Sequence, residues 1–65
     1  MRLRQLRRER ELTQRAIAKR LSIEVAVYNR IEKGRVSPPL ARAQQIADIF
    51  NLSVDEVFRY VEVAV

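Results

Sequence analysis

The sequence contains neither cysteine nor histidine. Without cysteine no disulfide can form, and without either residue type the chain lacks the commonest ligands of structural metal ions. It also removes the usual pairs of nucleophile and base in enzymes. We therefore expect no metal, no cofactor and no enzymatic activity.

Residues that break helices are also scarce, since the 65 residues include one glycine and two prolines, while 48% are hydrophobic. This composition favours a single all-α domain, residues 1–65, whose small core is completed by dimerisation. No apolar run approaches the length needed to span a membrane, and the basic N-terminus is followed by polar residues, unlike a signal peptide. We therefore expect a cytoplasmic protein that does not contact membranes and has no small-molecule ligand domain.

The positive charge is concentrated in the first half of the chain. The net charge is +5, made up of +7 over residues 1–35 and −2 over residues 36–65. This asymmetry indicates that the first half meets a polyanion, although a solvated surface would show the same pattern. Only Leu3 and Leu6 form an apolar stripe in the basic N-terminal helix, which is too narrow for a membrane-surface segment.

Two short helices separated by about three residues are predicted between residues 13 and 33. Thr13 can cap the first helix, and Gly34 suits a left-handed cap of the second. Between them, residues 22–24 interrupt a helical apolar pattern. Its members are Ile17, Ala18 and Leu21 in the first helix and Val27, Tyr28 and Ile31 in the second. Two such helices form a helix-turn-helix, whose second helix can lie in a DNA major groove.

The same stretch resembles the Cro/lambda-repressor (Xre) type of helix-turn-helix family. The matching positions are Leu12-Thr13-Gln14, Ile17-Ala18, Leu21, Ile23, Arg30-Ile31-Glu32 and Gly34, and later Pro38, Leu40, Ile46-Ala47, Leu52-Ser53-Val54 and Val57-Phe58. The resemblance covers nearly the whole chain, and it is greatest to short stand-alone repressors that end in a strand. It implies a five-helix lambda-repressor-like DNA-binding domain with a short C-terminal β-strand.

The resemblance also implies roles for individual residues. In the family, the residue at the position of Arg7 pairs with the one at the position of Glu32, so we expect a structural ion pair between the first and third helices. Gln14 is placed where the family contacts the DNA backbone. Thr13 lies beside it at the start of a helix, where free N–H groups and the helix dipole favour a phosphate.

The third helix carries the predicted base-reading residues. By resemblance these include Glu24, and helical geometry places Val25, Ala26, Asn29, Arg30 and Lys33 on the exposed face. Asn29 can pair with adenine, and Arg30 with guanine or a phosphate. We expect Lys33 to contact a phosphate, and Arg35, which follows the helix, to do the same.

Three of these positions depart from the family pattern. The family usually has serine or threonine at the position of Glu24 and polar residues at those of Val25 and Ala26. Glu24 can accept from a cytosine amino group or merely favour the helix dipole, while the two apolar side chains can contact only thymine methyl groups. We expect modest specificity, with affinity coming largely from phosphates. The exposed apolar pair leaves open a protein-binding surface.

Two further helices are predicted after the loop. Ser37 is expected to cap the fourth helix and Pro38 to be its first residue. The core face of this helix comprises Leu40, Ala43, Ile46, Ala47 and Phe50. A capping box from Ser53 to Glu56 opens a fifth helix that buries Val54, Val57 and Phe58.

The last six residues, 60–65, alternate in a way typical of a strand. An unpaired strand exposes valines, so we expect it to pair with the same strand of a second copy; the alternative is a frayed tail. Ile49 has no obvious partner within one chain. The predicted dimerisation tail is residues 58–65, and the interface is Ile49, Phe58, Tyr60, Val61, Val63 and Val65.

These observations favour a homodimeric, sequence-specific regulator of transcription that binds double-stranded DNA, and we expect a repressor. Its two third helices would enter successive major grooves about 34 Å apart on a palindromic operator. The alternative, from another class, is a protein-binding regulator or antitoxin-like module that uses Val25 and Ala26. RNA binding is a weak third option, because few aromatic residues are present to stack on bases.

Overall fold

The computed structural model describes residues 2–61, which form five α-helices. Their bounds are α1 Leu3–Glu9, α2 Gln14–Leu21, α3 Val25–Glu32, α4 Leu40–Phe50 and α5 Val54–Tyr60. No strand occurs within this range. The all-α, five-helix prediction is therefore confirmed for the described part of the chain, in which none of the helices has the length and apolar character to cross a membrane.

Side-chain caps start two of the helices where the sequence predicts them. The Thr13 hydroxyl accepts a hydrogen bond from the Ala16 N–H at 3.0 Å, at the start of α2. At the start of α5, the Ser53 hydroxyl accepts from the Glu56 N–H at 3.1 Å, and the Glu56 carboxylate accepts from the Ser53 N–H at 2.9 Å. Each bond pairs an N–H group that the helix itself leaves unpaired.

The turn between α2 and α3 depends on a left-handed residue, Ser22, with φ of 59°. The Ile23 N–H donates to the Ala18 carbonyl at 3.0 Å across this turn. A left-handed residue ends a helix abruptly and returns the chain toward it, although the position usually favours glycine. The short turn brings α3 directly against α2.

The core is one cluster of apolar side chains from all five helices. Helix α2 packs against α3 and α4, and α4 packs against α5. The buried apolar residues are Leu3, Leu6, Ile17, Ala18, Leu21, Tyr28, Ile31, Ala43, Ile46, Ala47, Phe50 and Val57. The predicted apolar stripes of α2 and α3 are thus confirmed, except that Val27 is only half-buried.

Helix α4 starts later than predicted. Its first residue is Leu40, and its N-cap is Pro39, with φ of −61° and ψ of 157°. The prediction that Ser37 caps the helix and Pro38 begins it is wrong. A proline disfavours helical geometry in the residue before it, so Pro39 keeps Pro38 out of the helix.

Two apolar residues assigned to the core are exposed, and a third is half-buried. Leu40 is 61% exposed and Phe58 is 41% exposed, whereas Val54 is partly covered. Leu40 belongs to the apolar side of α4 but occupies its first turn, and Phe58 follows the fully buried Val57. Periodicity predicts which side of a helix is apolar, but not how far its neighbours extend along it.

The predicted tail strand begins too early. Tyr60 is the last residue of α5, and the Val61 N–H donates to the Val57 carbonyl at 3.0 Å. The assignment of Tyr60 to a strand is therefore wrong. Ile49 does have partners in its own chain, because it packs partly against the core. The predictions for Val63 and Val65 lie outside the described residues.

A matched pair of alanine substitutions on α4 tests this arrangement. We expect Ile46→Ala to lower the free energy of unfolding by about 2–5 kcal/mol, because it leaves a cavity in the core. Leu40→Ala should change the free energy of unfolding by less than about 0.5 kcal/mol, because the side chain is largely in solvent. Urea unfolding measures both, and equal losses would contradict the exposed position of Leu40.

Candidate nucleic-acid interface

A buried ion pair joins α1 to the end of α3. Arg7 Nε donates to Glu32 Oε2 at 2.9 Å, and Arg7 Nη2 donates to Glu32 Oε1 at 3.0 Å. A third donor, Arg7 Nη1, reaches the Leu12 carbonyl at 2.9 Å. Glu32 is 1% exposed and Arg7 9% exposed. The ion pair expected between Arg7 and Glu32 is therefore present, and it also holds the loop that leads into α2.

The charges of this pair are stabilised by each other. Burial alone would raise the pKa of Glu32, but hydrogen bonds from Arg7 and Gln14 outweigh it and hold that pKa below its usual range. The hydrogen bond to Glu32 raises the pKa of Arg7. Burial, together with the nearby Glu32 charge, raises the pKa of the Tyr28 hydroxyl well above its usual range. At neutral pH the pair is ionised and Tyr28 is neutral.

Gln14 extends this pair to the exposed side of α3. Its Nε2 donates to Glu32 Oε1 at 3.1 Å. Its Oε1 accepts from Asn29 Nδ2 at 3.2 Å. We call Arg7, Glu32, Gln14 and Asn29 the polar chain, because consecutive hydrogen bonds connect them. The polar chain locks the first residue of α2 to two successive turns of α3.

A basic cleft of about 380 Å³ lies over the polar chain. It is lined by Arg4, Arg7, Arg8, Thr13, Gln14, Asn29, Glu32 and Lys33. The charges of Arg7 and Glu32 cancel, so the cleft owes its net positive charge to Arg4, Arg8 and Lys33. The start of α2 also borders the cleft. Within residues 2–61 no group of acidic side chains could hold a metal ion.

Arg4 and Arg8 were not among the predicted contact residues. They are four residues apart on α1, the spacing that places two side chains on one helical face. That spacing is visible in the sequence and was the available signal. The Arg7–Glu32 pair determines which helix lies beside this face of α1. That contact belongs to the tertiary structure, so local sequence patterns do not reveal it.

The exposed surface of α3 continues from the cleft. Glu24 is the N-cap residue of α3, although its side chain makes no capping hydrogen bond, and Glu24, Val25, Ala26 and Arg30 are all exposed. Asn29 is half-buried, because its amide is bonded to Gln14. We call these five residues the α3 face. Asn29 belongs both to this face and to the cleft, so the two form one continuous surface.

Two basic residues, Lys33 and Arg35, flank Gly34 directly after α3. Gly34 has φ of 75°, and the Arg35 N–H donates to the Arg30 carbonyl at 2.9 Å. This left-handed cap holds the chain close to the last turn of α3. Lys33, the C-cap residue of α3, lines the cleft, and Arg35 is exposed directly beyond the helix end.

Comparison with known proteins identifies the family. Residues 1–59 match the family described as a helix-turn-helix domain. An uncharacterized HTH-type transcriptional regulator, YazB of Bacillus subtilis, is 39% identical over 56 residues, which are 86% of this chain and 81% of that protein. The chain therefore belongs to the Xre-type helix-turn-helix family, a family of DNA-binding transcriptional regulators.

Similar relatives occur in other organisms. An uncharacterized HTH-type transcriptional regulator of Archaeoglobus fulgidus is 31% identical over 61 residues, covering 94% of this chain and 86% of the relative. The HTH-type transcriptional regulator DdrOP3 of Deinococcus deserti is 36% identical over 61 residues, covering 94% of this chain but 47% of the relative. No solved structure matches the chain significantly.

Substitutions in the ion pair test its importance for stability. We expect Arg7→Met or Glu32→Met alone to lower the free energy of unfolding by about 3–5 kcal/mol, because each leaves a buried charge without its partner. The double variant should be less destabilised than either single variant, because it buries no charge. Urea unfolding at pH 7 measures this, and strictly additive losses would argue against direct coupling.

Acidification should weaken the fold through the same pair. Because the folded pKa of Glu32 is lowered, its contribution is present above the unfolded value, about 4.3, and is lost as the pH falls through the folded pKa. The wild type should therefore lose stability relative to the double variant as the pH falls below about 5. A difference in unfolding free energy that stays constant with pH would contradict this assignment.

Proposed function

We propose that the chain regulates transcription by binding double-stranded DNA, with α3 in the major groove. The observation that carries this proposal is the continuity of the α3 face with the basic cleft. A groove-inserted helix needs phosphate contacts on its flank to fix its depth and register. The cleft lies on that flank and shares Asn29 with the α3 face.

The cleft is the site we propose for a backbone phosphate. The start of α2 at Thr13 and Gln14 presents N–H groups and the positive end of the helix dipole. Arg4, Arg8 and Lys33 add three cationic side chains around it. Arg35, beyond the end of α3, suits a second phosphate. These contacts fix the position of α3 but do not distinguish sequences.

The α3 face is the surface we propose for base recognition. Val25 and Ala26 offer only apolar contact with thymine methyl groups, so Asn29, Arg30 and Glu24 carry the available hydrogen bonds. This distribution supports modest discrimination at each half-site and strong dependence on salt.

We propose that the active form is a homodimer that reads a palindromic operator. Phe58, which is 41% exposed, is the large apolar side chain that one chain leaves uncovered near the end of α5. Ile49, Tyr60 and Val61 are half-buried and can complete its interface, with Val63 and Val65 as the proposed pairing strand. A dimer on its operator excludes other proteins from it, so repression is the proposed effect.

Val25 also supports a second candidate, a protein-binding module, because it is 36% exposed on a helix that a partner could cover. Apolar association persists at high salt, whereas phosphate contacts weaken steeply. Binding that survives high salt and needs Val25 would favour this second function.

Selection of bound sites from a random duplex library, followed by fluorescence anisotropy, tests DNA binding. Lys33→Ala and Arg35→Ala should each weaken binding to every sequence and reduce the salt slope by about one, because each removes a phosphate contact. Arg20→Ala is the matched control, since Arg20 is an exposed arginine near the end of α2 that does not line the cleft and lies outside the dimerisation tail. An equal effect of Arg20→Ala would mean that only net charge matters.

The dimer is tested by Phe58→Ser and by a chain ending at Val61. Sedimentation equilibrium should show at least a tenfold weaker dimer for Phe58→Ser, because an apolar side chain leaves the interface. The shortened chain, which retains all of α5, tests the pairing strand. If both variants dimerise as tightly as the full-length wild type, this interface is contradicted. If both select single half-sites instead of palindromes, the interface is supported.

A further inference from the structure

The Arg7–Glu32 ion pair determines which groups donate and which accept along the polar chain. An ionised carboxylate can only accept hydrogen bonds, and a guanidinium can only donate them. Glu32 Oε1 accepts from Arg7 Nη2 at 3.0 Å and from Gln14 Nε2 at 3.1 Å. The Gln14 amide must therefore turn its NH₂ group toward Glu32, and its carbonyl oxygen faces the other way.

This orientation is passed on to Asn29. The carbonyl oxygen of Gln14 meets the amide of Asn29, and the Asn29 Nδ2 donates to it at 3.2 Å. A flipped Asn29 amide would place two carbonyl oxygens against each other, with no proton between them. Gln14 uses one of the two Asn29 N–H groups, and the bond leaves the Asn29 oxygen and its second N–H for a ligand.

We propose that Gln14 is a positioning residue for base discrimination, because it passes the donor and acceptor order set by Glu32 on to Asn29. Adenine offers an acceptor, N7, beside a donor, N6, in the major groove. An amide held in one orientation meets this pair in one order, whereas a freely flipping amide presents both. Gln14 therefore affects which base is preferred, and this goes beyond the phosphate contact expected from the resemblance. The inference rests on the proposed function.

The test compares the base preference of Gln14→Met with that of the wild type. Methionine is similar in size to glutamine but can neither donate to Glu32 nor accept from Asn29 as an amide does. The Asn29-dependent position is first located as the base pair at which Asn29→Ala loses its preference. Discrimination is then the ratio of Kd for a substituted duplex to Kd for the preferred duplex, measured by fluorescence anisotropy.

We expect Gln14→Met to reduce discrimination at that one position by about fivefold or more, since a well-placed bidentate contact contributes at least that much. In the Asn29→Ala background the same change should produce no further loss of discrimination. Arg35→Ala is the control and should weaken all duplexes by one common factor. Gln14→Ala is a second variant that is compatible with a helix start.

A measurement without DNA checks the contact itself. The side-chain amide resonances of Asn29 in a ¹⁵N-¹H correlation spectrum should shift in Gln14→Met and stay in place in Arg35→Ala. Unshifted resonances in the Gln14 variants would overturn the inference.

The two proposals fail in different ways. If the Gln14 variants weaken all duplexes by one factor with discrimination unchanged, the positioning role is overturned and the DNA-binding function stands. If the wild-type chain enriches no sequence and binds no duplex, the proposed function is overturned, and this inference with it. Loss of preference confined to the Asn29-dependent position supports both.

Discussion

The buried carboxylate of Glu32 is the group on which the rest of this small domain depends. A charge that is 1% exposed is costly to bury unless donors surround it, and Arg7 and Gln14 supply those donors. Meeting this requirement brings the end of α3, the middle of α1 and the start of α2 to one point. The same arginine also holds the Leu12 carbonyl, which fixes the loop between α1 and α2.

This arrangement puts buried, hydrogen-bonded polar groups directly beneath the proposed DNA-binding surface. The apolar core supports α3 from the opposite side through Tyr28 and Ile31, which are 0% and 2% exposed. A base-reading helix must keep its side chains within a fraction of an ångström of the productive geometry, and side chains locked by their neighbours achieve this. Helix α3 is therefore held by polar contacts on one side and by the apolar core on the other.

Because the residues at the start of α3 are apolar, few side chains of this helix can form hydrogen bonds with bases. In the proposed complex with DNA, Val25 and Ala26 can contact only methyl groups, so we propose that hydrogen-bonding discrimination falls mainly to Asn29 and Arg30. Arg30 is exposed, whereas Asn29 is half-buried and bonded to Gln14. Of these two residues, Asn29 is thus the one whose orientation the fold itself determines.

Local patterns in the sequence determined the helices, most of their starts and the buried sides of α2 and α3, because caps and helical periodicity act over only a few residues. Pro39 acts equally locally, so the true start of α4 was also predictable from it. The exposure of Leu40 and Phe58 and the partners of Ile49 depend on how far neighbouring helices extend, which no local pattern contains. The tertiary structure alone decided that Arg4 and Arg8 border the start of α2 and that Gln14 joins Glu32 to Asn29, because these contacts link residues far apart in the chain.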